Sequence, residues 1–281
     1  MPETHPLSFD CEEYFPLTVP IDQWDRMPSR IGWAVSHVLD LLDEYSAKAT
    51  FFVVGWVAEK HPSVVREIVA RGHDAGCHSY GHQMLFSMTP DQFRADTRRA
   101  RAVIEQAGGR AVSGYRAPCF SITPKTAWAI QVLSDEGFLY DSSVFPVFHD
   151  VYGWPGAKRH EHILQTRSGP LWEFPPATFR LFQKLVLPVG GGGYLRMLPF
   201  AYSSLGLRRA SEEGRFLLYF HPWEFDVEQP YLPSSAAYRL RHRTGLQTTE
   251  EKFRKLLSVY RFTSIETVFR EGRLPVTAGA R

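Results

Sequence analysis

The sequence predicts an α/β fold, a distorted (β/α)7-8 barrel with a C-terminal elaboration. Three observations predict it. Strand-like and helix-like segments alternate from residue 7 to residue 142, the side chains able to do chemistry fall at the C-terminal ends of the strand-like segments, and 281 residues with 44% hydrophobic and 14% aromatic content suit one barrel domain.

Leu7–Cys11 reads as the first strand. Residues 31–46 carry Ile31, Val35, Val38, Leu39 and Leu42 at helical spacing, and the β-rich run Ala49–Val54 follows. The unit then recurs: a helix near 57–71 ending at Gly72, a strand near 74–78, a helix after the Thr89-Pro90 start signal, a strand leading to Arg116, a helix after Pro124 and a strand near 138–142. Parallel β-α units of this number favour closure into a barrel.

Residues 146–200 break the alternation with Pro, Gly and aromatic residues, and read as an elaboration over one side of the barrel mouth. Their glycine run, Gly190–Gly193, lacks a following Lys-Ser/Thr and so reads as a flexible loop, not a phosphate cradle. Residues 249–272 suggest an amphipathic helix, a short strand at Arg261–Ser264 and a last helix. The whole is expected to be one domain over 1–281, with the elaborated segment at about 146–200 and a C-terminal extension at about 226–281.

With 32 basic and 30 acidic residues spread along the chain, the net charge of +2 argues against a nucleic-acid partner. Residues 1–6 lack the features of a secretory leader, and no window reaches the ~18 apolar residues of a membrane span. The expected location is the cytoplasm, with the periphery of the inner membrane as the alternative. Cys11, Cys77 and Cys119 are an odd set, expected as reduced thiols that serve as small apolar fillers.

His78-Ser-Tyr-Gly-His82 puts two imidazoles four residues apart, close enough to reach one ion from a helical turn or a tight loop. Alone, such a pair is as often coincidence. It becomes specific beside Ser8-Phe9-Asp10-Cys11-Glu12-Glu13, where period-two alternation sends Asp10 and Glu12 to one face and Glu13 to the other. Two inward carboxylates repel unless a cation or an Arg is present, so Glu12 is the natural third ligand and Asp10 the uncoordinated base. Arg116 can hold a carboxylate bidentately and keep Asp10 ionised. His221, in Phe220-His221-Pro222, is the best donor of a proton to a leaving amine.

The other histidines, among them His37, His61, His73, His149, His160, His162 and His242, lack a partner motif and are expected at the surface or satisfied in the core. Arg94, Arg98, Arg99 and Arg101 look like a solvated helix face. The cluster Arg239, Arg241, His242, Arg243 is more suggestive, of a size and charge to meet a phosphate or an acidic sugar.

Taken together, S-F-D-x-E, A-T-F-F-V-V-G, G-H-D-A-G-C-H-S-Y-G-H, G-Y-R-A-P, Y-D-S-S-V-F-P and F-H-P-W-E resemble, in order and spacing, the NodB-homology polysaccharide deacetylases of carbohydrate esterase family 4. The pattern is most similar to the branch associated with exosortase systems and exopolysaccharide gene clusters. It extends through the glycine run and the R-x-R-H-R-T-G-L stretch, and so covers nearly the whole chain.

The resemblance implies a divalent metal, usually zinc, with cobalt, nickel, manganese and iron as the other ions of the class. Its ligands would be Glu12, His78 and His82, its base Asp10 and its acid His221, with Arg116 orienting Asp10. Asp141 or Glu173 would buttress His221 or Arg116. The sequence departs from the family in Asp10-Cys11-Glu12, which leaves Glu13 as an alternative ligand, and in Cys119, which stands where a tyrosine commonly supplies the N–H that holds the oxyanion. The implied substrate is an acetylated amino-sugar oligo- or polysaccharide, free or lipid-linked. Tyr14, Trp154, Trp172 and Trp223 would stack on its rings. Competing readings on the same barrel are a deformylase, a cyclic imide hydrolase and a non-catalytic carbohydrate-binding homologue.

Overall fold

The computed structural model describes residues 3–149, 152–182, 185–232 and 234–272. Its centre is β1 (Thr4–Cys11), whose alternation sends Leu7, Phe9 and Cys11 into the main hydrophobic cluster and Ser8 and Asp10 to the other face. Helix α1 (Ile31–Glu44) buries Ile31, Val35, Val38, Leu39 and Leu42, the expected stripe, and leads into β2 (Thr50–Val53).

The single helix expected over 57–71 is two, α2 (Gly55–Lys60) and α3 (Pro62–Ala70). The break lies at His61, with φ −127° and ψ 59°, because a residue before proline is driven out of the helical region. After β3 (Asp74–Cys77), helix α4 (Pro90–Gly108) starts on a capping box. Thr89 Oγ1 accepts from Gln92 N at 3.3 Å, and Gln92 Oε1 accepts from Thr89 N at 2.8 Å. Then come β4 (Gly114–Tyr115), α5 (Trp128–Asp135) and β5 (Tyr140–Asp141).

The segment at 146–200 carries β6 (His162–Thr166), β7 (Gly169–Glu173), a hairpin of β8 (Thr178–Leu181) and β9 (Leu185–Pro188), and α6 (Gly192–Met197). The chain ends with α7 (Phe200–Glu213), β10 (Leu218–Phe220), α8 (Ala236–Arg243), α9 (Leu246–Val259), β11 (Arg261–Thr263) and α10 (Ile265–Gly272).

The main sheet runs β10-β1-β2-β3-β4-β5-β7-β6, and every pair from β10 to β7 is parallel. Closure from β7 back to β10 is made by a bridge, Pro176 to Leu217, with Ala177 N donating to Leu217 O at 2.8 Å. A second isolated bridge onto β10 joins Gly191 to Tyr219, and these bridges in place of a full ladder are the distortion of the barrel. Among the described residues, no helix is long and apolar enough to cross a membrane.

The glycine run is not the flexible loop expected. Gly190, Gly191 and Gly192 are buried, and a Cβ on Gly190 would lie 2.5 Å from Ala177 N. Gly190 lets backbones close on one another beside the barrel seam, while Gly191 and Gly192 seat against the side chains of Tyr219 and Glu224.

Candidate metal centre

Strand register assembles the centre. Phe9 pairs with Phe220, so Asp10 and His221, each one residue further on, leave adjacent strands side by side. Val53 pairs with Cys77 and Cys77 with Tyr115, which brings His78 and Arg116 to the same rim. His78 and His82 are joined by a tight loop, not a helical turn, with left-handed φ of 63° at Ser79 and 53° at His82.

Glu12, His78 and His82 each offer a ligand atom, and these atoms lie within 4.8 Å of one another, all on buried residues. Glu12 Oε2 is 2.6 Å from His82 Nε2 and 3.9 Å from His78 Nε2, yet it lies in no hydrogen-bonding alignment and has no partner. His82 Nδ1 is likewise buried without a partner. A buried carboxylate oxygen left over between two imidazoles is the donor set of a divalent transition metal, so the residues fit the ion.

The electrostatics agree. His78 Nδ1 is 2.8 Å from the Arg116 carbonyl, which leaves Nε2 toward the centre, and burial depresses its pKa to about 4, keeping the imidazole neutral as a ligand must be. Burial alone would raise the Glu12 carboxyl, but the imidazoles of His82, His221 and His78 outweigh it and hold Glu12 at about 2. Glu13 is elsewhere: its carboxylate accepts from Ser29 Oγ at 2.5 Å and Arg30 N at 3.1 Å.

Asp10 is 3% exposed, and its Oδ1 accepts from Arg116 Nη1 at 2.7 Å. The fully buried guanidinium is fixed in turn by the Ser142 carbonyl at 3.0 Å and the Ser142 hydroxyl at 2.7 Å. His221 Nε2 lies 3.9 Å from Asp10 Oδ2 and 3.7 Å from Glu12 Oε1. Cys119 sits in a one-turn helix at φ 52°, and burial pushes its thiol up to about 12, so it is a neutral thiol.

Two expected roles change. Asp141 and Glu173 are fully buried, but they face each other and their own strands: Asp141 Oδ1 accepts from Ser143 Oγ at 2.5 Å and Glu173 Oε1 from Val144 N at 3.0 Å. Neither touches His221, and the support of Arg116 passes through Ser142. Tyr14 is buried in the core with its hydroxyl donating to the Pro28 carbonyl at 3.1 Å, which leaves it no face for a sugar. Trp172 packs on Phe174 and Phe269, away from the main cluster. Trp223 does reach the centre, its Nε1 donating to Glu12 Oε1 at 3.4 Å and its ring stacked 5.1 Å from His221.

The partner of His221 is Glu224, which sequence reasoning passed over. Its carboxylate accepts from His221 N at 3.0 Å, lies 3.4 Å from His221 Nδ1 and pairs with Arg196 Nε at 3.1 Å. Burial opposes a proton on His221, but the charges of Glu224, Glu12 and Asp10 outweigh it and raise the imidazole to about 9. Gly192 makes room for this arrangement, since a Cβ there would stand 1.9 Å from Glu224 Oε2. The i, i+3 spacing of His221 and Glu224 was the available signal.

Residues 23–138 match the family model described as polysaccharide deacetylase, and residues 142–270 match a domain of unknown function, DUF3473. A peptidoglycan-N-acetylglucosamine deacetylase of Bacillus cereus is 35% identical over 81 residues, 29% of this chain and 30% of that protein. A chitooligosaccharide deacetylase of Azorhizobium caulinodans is 33% identical over 98 residues, 34% of this chain and 44% of that protein. The matched stretch thus spans less than half the length of these curated relatives. A crystal structure described as a putative polysaccharide deacetylase from Mycobacterium smegmatis superposes with a TM-score of 0.63 at 20% identity, over 100% of this chain and 96% of that one, which shows the shared fold. With the deacetylase motif region and the barrel both in place, residues 23–138 form a polysaccharide deacetylase domain of NodB type.

Proposed function

We propose that this protein hydrolyses the N-acetyl group of an amino sugar in a polysaccharide or its lipid-linked precursor, releasing acetate and a free amine. The observation that carries the reading is the convergence of three buried ligand atoms within 4.8 Å, with the Arg116-bound carboxylate of Asp10 and the imidazole of His221 at its edge.

A divalent ion such as zinc, held by Glu12, His78 and His82, would polarise the amide oxygen and acidify a water. Asp10, held in place by Arg116, takes the proton of that water, and the hydroxide attacks the amide carbon. The Cys119 N–H donates to the developing oxyanion; the N–H groups of the next two residues, Phe120 and Ser121, already bond back to Ala117 and Pro118. His221 gives its proton to the sugar nitrogen as the C–N bond breaks. Trp223 offers an aromatic face beside Glu12 for a sugar ring.

The test is acetate release from N-acetylated chitooligosaccharides by the purified protein, with and without chelator. Chelation should abolish turnover and added divalent metal restore it. Asp10→Asn should lower kcat by about 10²- to 10⁴-fold while metal binding persists. Turnover of N-formyl sugars or cyclic imides with none of acetamido sugars, or full activity in Asp10→Asn, would overturn the reading.

A further inference from the structure

The face of α8 beside the centre is built on stacked rings. Trp223, bonded to Glu12, stacks on His242 at 4.4 Å and 14°, and His242 stacks on Tyr238 at 5.6 Å and 20°. The far end of the helix is tied to the same site, because Arg196 Nη1 donates to the Arg241 and Thr244 carbonyls at 2.7 Å while its Nε holds Glu224. Gly245 permits that tie: a Cβ there would lie 2.1 Å from the Arg196 carbonyl oxygen.

Of the three guanidiniums on α8, two are committed to the fold. Arg239 donates to the Ser234 carbonyl, and Arg243 donates to those of Gln229 at 2.9 Å and Val227 at 3.1 Å. Arg241 differs. Its side chain is exposed and makes no hydrogen bond or ion pair among the described residues. Helical spacing sets it three residues after Tyr238, on the same stripe as that ring. Its positive charge is felt at Tyr238, at Cys119 beside the centre, and at Tyr152 and Tyr194, whose hydroxyls meet at 2.8 Å. An uncompensated guanidinium thus stands at the mouth, on a helix anchored at both ends to the machinery that holds Glu12 and His221.

We propose that Arg241 is an anion-recognising residue of the substrate site, pairing with a carboxylate or phosphate that the substrate carries near the acetamido group. The planar fork of arginine suits either group bidentately. Which bond is cut rests on the deacetylase reading; the binding of an anionic sugar does not.

The experiment compares three acetamido substrates: a neutral chitotetraose, a tetrasaccharide alternating N-acetylglucosamine with glucuronate, and UDP-N-acetylglucosamine. Wild type should favour an anionic substrate over the neutral one by at least tenfold in kcat/KM, and Arg241→Ala should erase that preference mainly through KM, with Arg241→Lys restoring part of it. Arg239→Ala, whose side chain serves the loop at Ser234, should keep the preference. The carboxylate and phosphate arms identify the source of the anion. Binding of the same ligands, measured by calorimetry on the metal-loaded protein, should fall tenfold or more in Arg241→Ala and weaken with added salt. This readout stands even where no substrate is turned over, so failure of the activity and failure of the subsite are separate results. Equal loss on neutral and anionic ligands in Arg241→Ala, or no wild-type preference for either anion, overturns the proposal.

Discussion

Replacing Gly192 by alanine tests whether the glycine run is a packing seat. The added Cβ would lie 1.9 Å from Glu224 Oε2, 2.7 Å from Glu224 Cδ and 2.7 Å from Phe220 Cδ1. Non-bonded heavy atoms ordinarily sit about 3.5 Å apart, so the carboxylate must retreat by roughly 1.6 Å. Glu224 is 1% exposed and has nowhere to go without giving up His221 N at 3.0 Å and Arg196 Nε at 3.1 Å. Overpacking costs about 1–3 kcal/mol and the loss of hydrogen bonds to a charged group about 1.5–3 kcal/mol, so Gly192→Ala should lose on the order of 3–5 kcal/mol. The control is next door. A Cβ on Gly193 meets no atom within 4 Å, and alanine at that helical position should be neutral or up to about 1 kcal/mol more stable. Urea unfolding of the two variants measures the difference. If Gly192→Ala and Gly193→Ala unfold within 1 kcal/mol of each other, the close-packed seat is wrong.

Other perturbations follow from the same geometry. Burial holds His5, His73 and His242 at about 4, below the ordinary 6.5, so each is neutral in the fold. The unfolded chain binds more protons in that window. Stability should therefore be fully present above pH 6.5 and fall as pH drops from 6.5 to 4, by on the order of 3 kcal/mol per histidine, which denaturant midpoints across that range will show. Burial and the Asp141 charge raise the Glu173 carboxyl well above its usual range, which favours its protonated form. Glu173→Gln should then lie within about 1 kcal/mol of wild type at pH 7 and remove a loss of stability that the wild type shows as pH rises through the Glu173 value, whereas Glu173→Ala, which strands Val144 N, should cost about 2–4 kcal/mol. Zinc at a hundred times its Kd should stabilise the protein by about 2.7 kcal/mol, and Glu12→Gln should remove most of that gain in a thermal melt.

What could be read from the sequence was what local chemistry encodes. The i, i+4 imidazoles and the period-two alternation of β1 favoured Glu12 but left Glu13 open, and only the fold, which ties Glu13 to Ser29 and Arg30, separates the two. What escaped depended on partners distant in the chain. The seat of Gly192 is made by Glu224, 32 residues further along the chain, and nothing near residues 190–193 announces it. Tyr14 illustrates the reverse error: an aromatic at the rim of a strand suggested a sugar platform, but its hydroxyl is satisfied by Pro28, a contact that only the fold creates. The split of α2 from α3 was legible in Pro62.

The second half of the chain is part of the centre and not an appendage to it. The match to the deacetylase model ends at residue 138 and begins only at 23, so it contains His78, His82 and Arg116 but neither β1 nor β10. Asp10 and Glu12 come from β1 or its end, and His221 follows β10, its neighbour in the sheet. The bridge that closes the barrel joins Pro176 to Leu217, both within the region described as of unknown function. That region also supplies Glu224, Arg196 and α8, which together hold the His221 side of the centre. Its two runs, Gly190–Gly193 and the stretch ending at Gly245, are coupled through one guanidinium: Gly192 admits Glu224, Glu224 pairs with Arg196, and Gly245 admits the Arg196 backbone. A change at either glycine should therefore register at His221, although a side chain at neither position would meet Glu12, His78 or His82.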